Sequence, residues 1–143
     1  MQMRAEFFDT NVILYLLDQG PKADRATALI AQGGLISVQV LNEALVNCLR
    51  KAGMDWSEAG QFLAHVRYFC EVCDLSAQTH DIGRALGARY KLSVYDAMIV
   101  AAALEAGCTT LYSEDMQHGL LIEDQLRIDN PFRATQSITP APR

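Results

Sequence analysis

The stretch SVYDAMIVAAALEAGCTTLYSEDMQ, residues 93–117, decides the fold class of this chain. Ala97 to Leu104 carries no polar residue on any side, so a helix there has to be surrounded by protein. Gly107 ends that helix, and Cys108 to Tyr112 reads as a strand directly behind it. Helix followed at once by strand is one unit of a pattern that extends in both directions.

Toward the N-terminus, residues 4 to 8 form a short buried strand and 11 to 18 a helix. Gly20-Pro21 marks a turn, with Pro21 suited to the first position of a second helix that ends at Gly33-Gly34. Leu35 to Val38 is β-branched and apolar, a second strand. Val40, Leu41, Ala44, Leu45, Cys48 and Leu49 make a helical stripe within residues 39–51, which Gly53 closes. Residues 56–68 form another amphipathic helix, 70–75 a third strand and 77–90 a further helix. Beyond residue 117, Leu121-Ile122 and Leu126-Arg127-Ile128 are expected to give one last short strand. Alternating strands and helices predict an α/β fold, a three-layer α/β/α sandwich on a central, mainly parallel sheet of four to five strands. Residues 1–132 are expected to be a single domain, and residues 133–143, without periodicity, a flexible tail.

A chain of 143 residues, half of them apolar and a fifth charged, builds an ordinary core without disulfides or structural metal. No apolar run is long enough to span a membrane. The opening MQMRAEFF lacks a signal-peptide pattern, so a cytoplasmic location is expected. The four cysteines fit that compartment. Cys70 and Cys73 have a C-x-x-C spacing, but no second such pair or H-x3-H accompanies them, which favours reduced structural thiols over zinc. The net charge of −5 speaks against a general nucleic-acid binder, though not against a nuclease whose acids are collected in a metal site.

In a parallel α/β sheet, ligands bind beyond the carboxyl ends of the strands. Asp9 follows the first strand directly, and Asp115 follows the fourth through Ser113-Glu114. Glu43 lies early in the helix after the second strand, and Asp96 in the first turn of the buried helix. If the first and fourth strands are neighbours, all four acids converge on one edge. Each also has a purely structural reading. Asp9 suits a helix N-cap, Ser93 to Asp96 matches a capping box, Glu43 suits a solvated helix face, and Asp115 suits a turn. Singly, the residues leave both readings open. Together they argue for a cation, because clustered carboxylates repel unless protonated or metal-bound, and oxygen ligands select Mg²⁺ or Mn²⁺.

FFDTNVILYLLD (residues 7–18), Glu43, LSVYDAMIVAAALEAGCTTLYSEDMQHG (residues 92–119) and LRIDNPF (residues 126–132) occur in an order that resembles the PIN-domain family, and within it the VapC toxins of bacterial toxin–antitoxin pairs. The resemblance covers roughly residues 4 to 132. It implies an acidic quartet of Asp9, Glu43, Asp96 and Asp115 that binds metal and catalyses, supported by Asn11 and Ser113. It further implies Mg²⁺- or Mn²⁺-dependent endoribonuclease cleavage of RNA, a VapB-like antitoxin that blocks the site, and a homodimer.

The chemistry expected is phosphodiester hydrolysis by metal-activated water, with Asp9, Asp96 and Asp115 on one ion and Glu43 on a second ion or on the water. A phosphatase that uses an Asp after its first strand needs a second Asp two residues on, where this chain has Asn11. No P-loop is present. The alternatives that stay open are a PIN-type nuclease of RNA processing without an antitoxin, and a non-catalytic binding domain whose acids cap helices. Lys22, Arg25, Arg50, Lys51, Arg84, Arg89 and Lys91 are candidate phosphate contacts, but scattered cations are more often plain solvated surface.

Overall fold

The computed structural model describes residues 6–133, so the tail expected at 133–143 lies, apart from Arg133, outside the described residues. Six strands form one sheet: β1 (Glu6–Phe8), β2 (Gly34–Ser37), β3 (Cys70–Cys73), β4 (Thr110–Tyr112), β5 (Leu121–Ile122) and β6 (Leu126–Asp129). Their order is β3-β2-β1-β4-β6-β5, parallel throughout except for the antiparallel β5–β6 pair. The helices are α1 (Thr10–Leu14), α2 (Pro21–Ala31), α3 (Val38–Arg50), α4 (Trp56–Phe69), α5 (Ala77–Tyr90) and α6 (Val94–Glu105). This is the expected α/β sandwich on a mainly parallel sheet.

The strand count corrects the sequence reading. Leu121-Ile122 and Leu126–Asp129 are two strands folded back on each other, not one. Glu123 and Asp124 between them both take positive φ, 51° and 56°, which is the left-handed geometry that closes a tight hairpin. The first helix is also shorter than expected. After Leu14 the chain tightens into a 3-10 turn, Tyr15–Leu17, with Asp18 N–H donating to the Tyr15 carbonyl at 3.0 Å.

The core explains why β1 lies centrally. Phe7 and Phe8 are fully buried, and Phe7 pairs with Leu35 of β2 on one side and Leu111 of β4 on the other. Gly34 permits this packing: a Cβ there would stand 2.6 Å from the Phe8 ring and 3.1 Å from the Glu6 carbonyl. Helix α6 is buried from Ala97 to Ala103, as its all-apolar sequence requires, and packs against α5, α3 and β2. Ser93 caps it by accepting the Asp96 N–H at 3.3 Å. All four cysteines are free thiols. No helix among the described residues is long and apolar enough to cross a membrane.

Candidate metal centre

β1 and β4 are hydrogen-bonded neighbours, so the residues that leave their carboxyl ends emerge side by side. The ladder extends one step past β1, where Asp9 N–H donates to the Tyr112 carbonyl at 2.9 Å. Asp9 is thereby fixed at the sheet edge, with only 4% of its surface exposed. Both its oxygens are engaged. Oδ1 accepts the Thr10 N–H at 2.7 Å, which makes Asp9 the N-cap of α1, and Oδ2 accepts the Ser113 hydroxyl at 2.7 Å. The capping and site readings of Asp9 are therefore compatible: one oxygen starts the helix while the other is tied to the β4 loop.

Thr10 links a second acid to the first. Its hydroxyl donates to Glu43 Oε1 at 3.1 Å, while Gln39, one turn earlier on α3, donates to Oε2 at 2.7 Å. Glu43 is thus half-buried with both oxygens held. Asn11 serves the third. Its Nδ2 donates to Asp115 Oδ2 at 2.9 Å and its Oδ1 accepts the Glu114 N–H at 3.2 Å, pinning the loop after β4 to α1. Asp96 at the start of α6 is half-buried and joins the others through its field rather than through a shared hydrogen bond.

The electrostatics follow from this crowding. Burial pushes Asp9 up to a pKa of about 7, against the hydrogen bonds from Ser113 and Thr10, and the charges of Asp96 and Glu43 add to the rise. Asp96 is raised too, mainly by burial and then by Glu43 and Asp115. Among the described residues, none of the four is ion-paired with Lys, Arg or His. Glu114 is the contrast. Lys22 Nζ and Tyr15 Oη both donate to it at 2.6 Å, and these partners hold its carboxyl below the usual range against the opposing effect of burial.

A profile of the PIN domain matches residues 7–119. The chain belongs to the PIN-domain family. Solved structures share the fold of this PIN domain at low identity. A toxin–antitoxin complex from Klebsiella pneumoniae superposes with a TM-score of 0.67 at 20% identity, over 88% of this chain and 97% of that one. VapC20 of Mycobacterium tuberculosis, a toxin that cleaves the sarcin–ricin loop, gives 0.64 at 22% identity, over 77% and 89%. VapBC2 of Rickettsia felis, bound to a DNA fragment from its promoter, gives 0.65 at 17% identity, over 86% and 97%. No curated protein matches the chain.

Within this PIN domain the donor set suits a hard divalent cation. It is built from carboxylate oxygens alone, and the burial that raises Asp9 leaves it without a positive neighbour. Among the described residues no three His, Cys, Asp or Glu side chains stand together as a ready-made ligand cage. The sequence reading missed Thr10 and Gln39. Gln39 had a visible signal in its four-residue spacing from Glu43, which puts both on one helix face. Thr10 had none, because its bond to Glu43 spans 33 positions and exists only once β1 and α3 have met.

Proposed function

We propose that this PIN domain is a divalent-metal-dependent endoribonuclease, the toxin of a VapBC-like toxin–antitoxin pair. The observation that carries the reading is Asp9: buried, fixed through both oxygens, raised to a pKa of about 7, and electrostatically coupled to further acids that no cationic side chain pairs. Such an arrangement is strained without a cation and relieved by one.

Asp9, Glu43, Asp96 and Asp115 would hold Mg²⁺ or Mn²⁺. When bound, the ion supplies charge against the scissile phosphodiester and a water of lowered pKa, so no side-chain nucleophile is required. The chain's own part is positioning. Ser113 and the Thr10 N–H keep Asp9 from rotating, Thr10 and Gln39 fix Glu43, and Asn11 holds Asp115 in the loop after β4. Outer hydrogen bonds of this kind are typically worth 10- to 100-fold in metal affinity or activity.

RNA as substrate, a VapB-like antitoxin that covers the site, a homodimeric assembly and a cytoplasmic setting complete the proposal. Support for the antitoxin comes from the toxin–antitoxin complexes that share the fold. The test is cleavage of single-stranded RNA with and without Mg²⁺ or Mn²⁺, in the wild type and in Asp9→Asn. Cleavage that requires the divalent ion and vanishes in a folded Asp9→Asn supports the reading. Full activity in that variant, or activity that survives EDTA, overturns it. A short gene for a DNA-binding protein immediately upstream would support the antitoxin, and its expression should protect cells from the toxin.

A further inference from the structure

The three residues that follow β4, Ser113-Glu114-Asp115, are each tied to a different part of the chain. Ser113 donates to Asp9 at the exit of β1, and Asp115 accepts from Asn11 on α1. Glu114, between them, reaches further. Its Oε1 accepts the Tyr15 hydroxyl from the 3-10 turn and its Oε2 accepts the Lys22 ammonium from α2, both at 2.6 Å, while its own N–H donates to Asn11 Oδ1 at 3.2 Å. The loop is thus gripped through side chain and backbone at the residue next to the fourth acid.

The grip is itself anchored. Asn11 and Tyr15 are four residues apart, so the first helical stretch presents both of its contacts along one face. The Phe132 ring packs against the Tyr15 ring with centroids 4.7 Å apart, and Lys22 Nζ lies 5.5 Å from the Tyr15 centroid. Arg25, three residues after Lys22 on α2, donates to the Pro131 carbonyl at 3.2 Å and so fastens the segment that carries Phe132. Tyr15 and Lys22 therefore have little freedom to follow Glu114 if it moves.

Two observations tie this cluster to the site and not to the fold alone. Asp115 is exposed, and among the described residues a single side-chain hydrogen bond, the one from Asn11, holds it. Its place consequently depends on the backbone it grows from. The second observation is that the Lys22–Glu114 pair is partly open to water, with side chains 35% and 18% exposed. Ion pairs in such settings add little to stability, yet two short bonds on one carboxylate still fix its direction. What the pair supplies is geometry.

Resting on the nuclease reading above, we propose that Glu114 is a positioning residue of the metal centre. Clamped by Lys22 and Tyr15, it sets the backbone from which Asp115 reaches the cation, and it does not bind the cation itself. Lys22 and Tyr15 belong to the same device.

The experiment measures Mn²⁺ affinity, read from the metal-induced rise in Tm, together with cleavage of a short single-stranded oligoribonucleotide. The variants are Glu114→Ala, Lys22→Met and Lys22→Arg, with Glu114→Ala also placed in an Asp115→Asn background; metal-free melts report their folding. Arg89→Ala, which breaks an exposed ion pair far along the chain, is the control and should match the wild type in affinity and cleavage. Glu114→Ala and Lys22→Met should each weaken Mn²⁺ about tenfold and lower kcat with little change in KM for the RNA. Lys22→Arg, which keeps the charge and the donors, should recover most of that loss. In the Asp115→Asn background Glu114→Ala should cost no further affinity, because the two residues act through one contact. Unchanged Mn²⁺ affinity in Glu114→Ala and Lys22→Met overturns the clamp, even if both melt lower without metal. Full additivity with Asp115→Asn overturns it as well. Tighter Mn²⁺ binding in Lys22→Met would make Glu114 a ligand that Lys22 restrains, and also overturns the positioning role. A wild type with neither a Mn²⁺-induced rise in Tm nor divalent-dependent cleavage overturns the nuclease reading itself, and the clamp with it.

Discussion

Ser113 donates its hydroxyl to Asp9 Oδ2 at 2.7 Å across 104 positions of sequence, and both residues are buried. The bond joins the exit of β4 to the exit of β1. It also opposes the burial that raises the Asp9 pKa. Ser113→Ala should therefore raise that pKa further and cost about 1–3 kcal/mol of stability, the usual penalty for a buried acceptor that loses its donor. If the nuclease reading holds, cleavage near pH 7 should fall about 10- to 100-fold. Because the carboxylate form is the one a cation needs, the loss should shrink as pH rises. A pH–rate profile that keeps its wild-type midpoint would count against the role given to this bond.

The raised Asp9 pKa makes a separate statement about stability. Asp9 binds its proton more tightly in the folded chain, near 7, than its ordinary value of 3.8. Between those values the folded state holds the proton that the unfolded state has lost, so stability falls as pH rises from about 4 to about 7. The limit for a shift of this size is on the order of 4 kcal/mol. Asp96, raised in the same direction, adds to the slope. Metal-free protein should thus melt at a lower temperature at pH 8 than at pH 5, and Asp9→Asn should flatten the difference. Mg²⁺ or Mn²⁺ at 100 times its Kd should return about 2.7 kcal/mol at pH 8. Thermal melts at the two pH values, with EDTA and with added metal, read all of these effects. A wild type that melts higher at pH 8 in EDTA would contradict the assignment.

What the sequence revealed and what it hid divide along a physical line. The quartet's shared edge was legible because each acid lies within a few residues of a strand end or helix start, and strand direction alone then places it. The α6 core was legible because Ala97 to Leu104 has no polar residue to face water. The β5–β6 hairpin was not, since Glu123 and Asp124 carry none of the Gly or Asn that normally announces a left-handed turn. Thr10 was hidden for a different reason. Its meaning arises only when elements distant in sequence pack together, since its partner Glu43 lies 33 positions away.

The hairpin turn suggests a stabilising change. Asp124 sits at φ 56° and is exposed, a conformation in which an L side chain is disfavoured and glycine is not. Asp124→Gly should stabilise the chain by a few tenths to about 1 kcal/mol, seen as a rise in Tm of about 1–4 °C for a chain of this size. Glu123, although also at positive φ, is a poor choice for the same change. Its carboxylate accepts from Arg89 at 2.8 Å and from Tyr90 Oη at 3.0 Å, bonds that anchor the hairpin to α5. Glu123→Gly should lower Tm or leave it unchanged, and calorimetry on the two variants tests the contrast.

Thr10 offers the cleanest separation of fold from site, because its two bonds come from different atoms. The backbone N–H holds Asp9 and the hydroxyl holds Glu43. Thr10→Val keeps the shape and the N–H but deletes the hydroxyl, so the α1 cap and the Asp9 geometry should survive. Glu43 would then keep only Gln39 as a side-chain donor. Divalent-metal affinity, read by the metal-induced shift in Tm, should fall about tenfold, and cleavage should fall with it. Thr10→Ser, which restores the hydroxyl, should recover most of both at some cost in packing. If Val and Ser behaved alike, the hydroxyl would be irrelevant to Glu43 and any loss would trace to packing around α1. A loss in Val that Ser reverses can only come from the link between the first acid of the chain and the second.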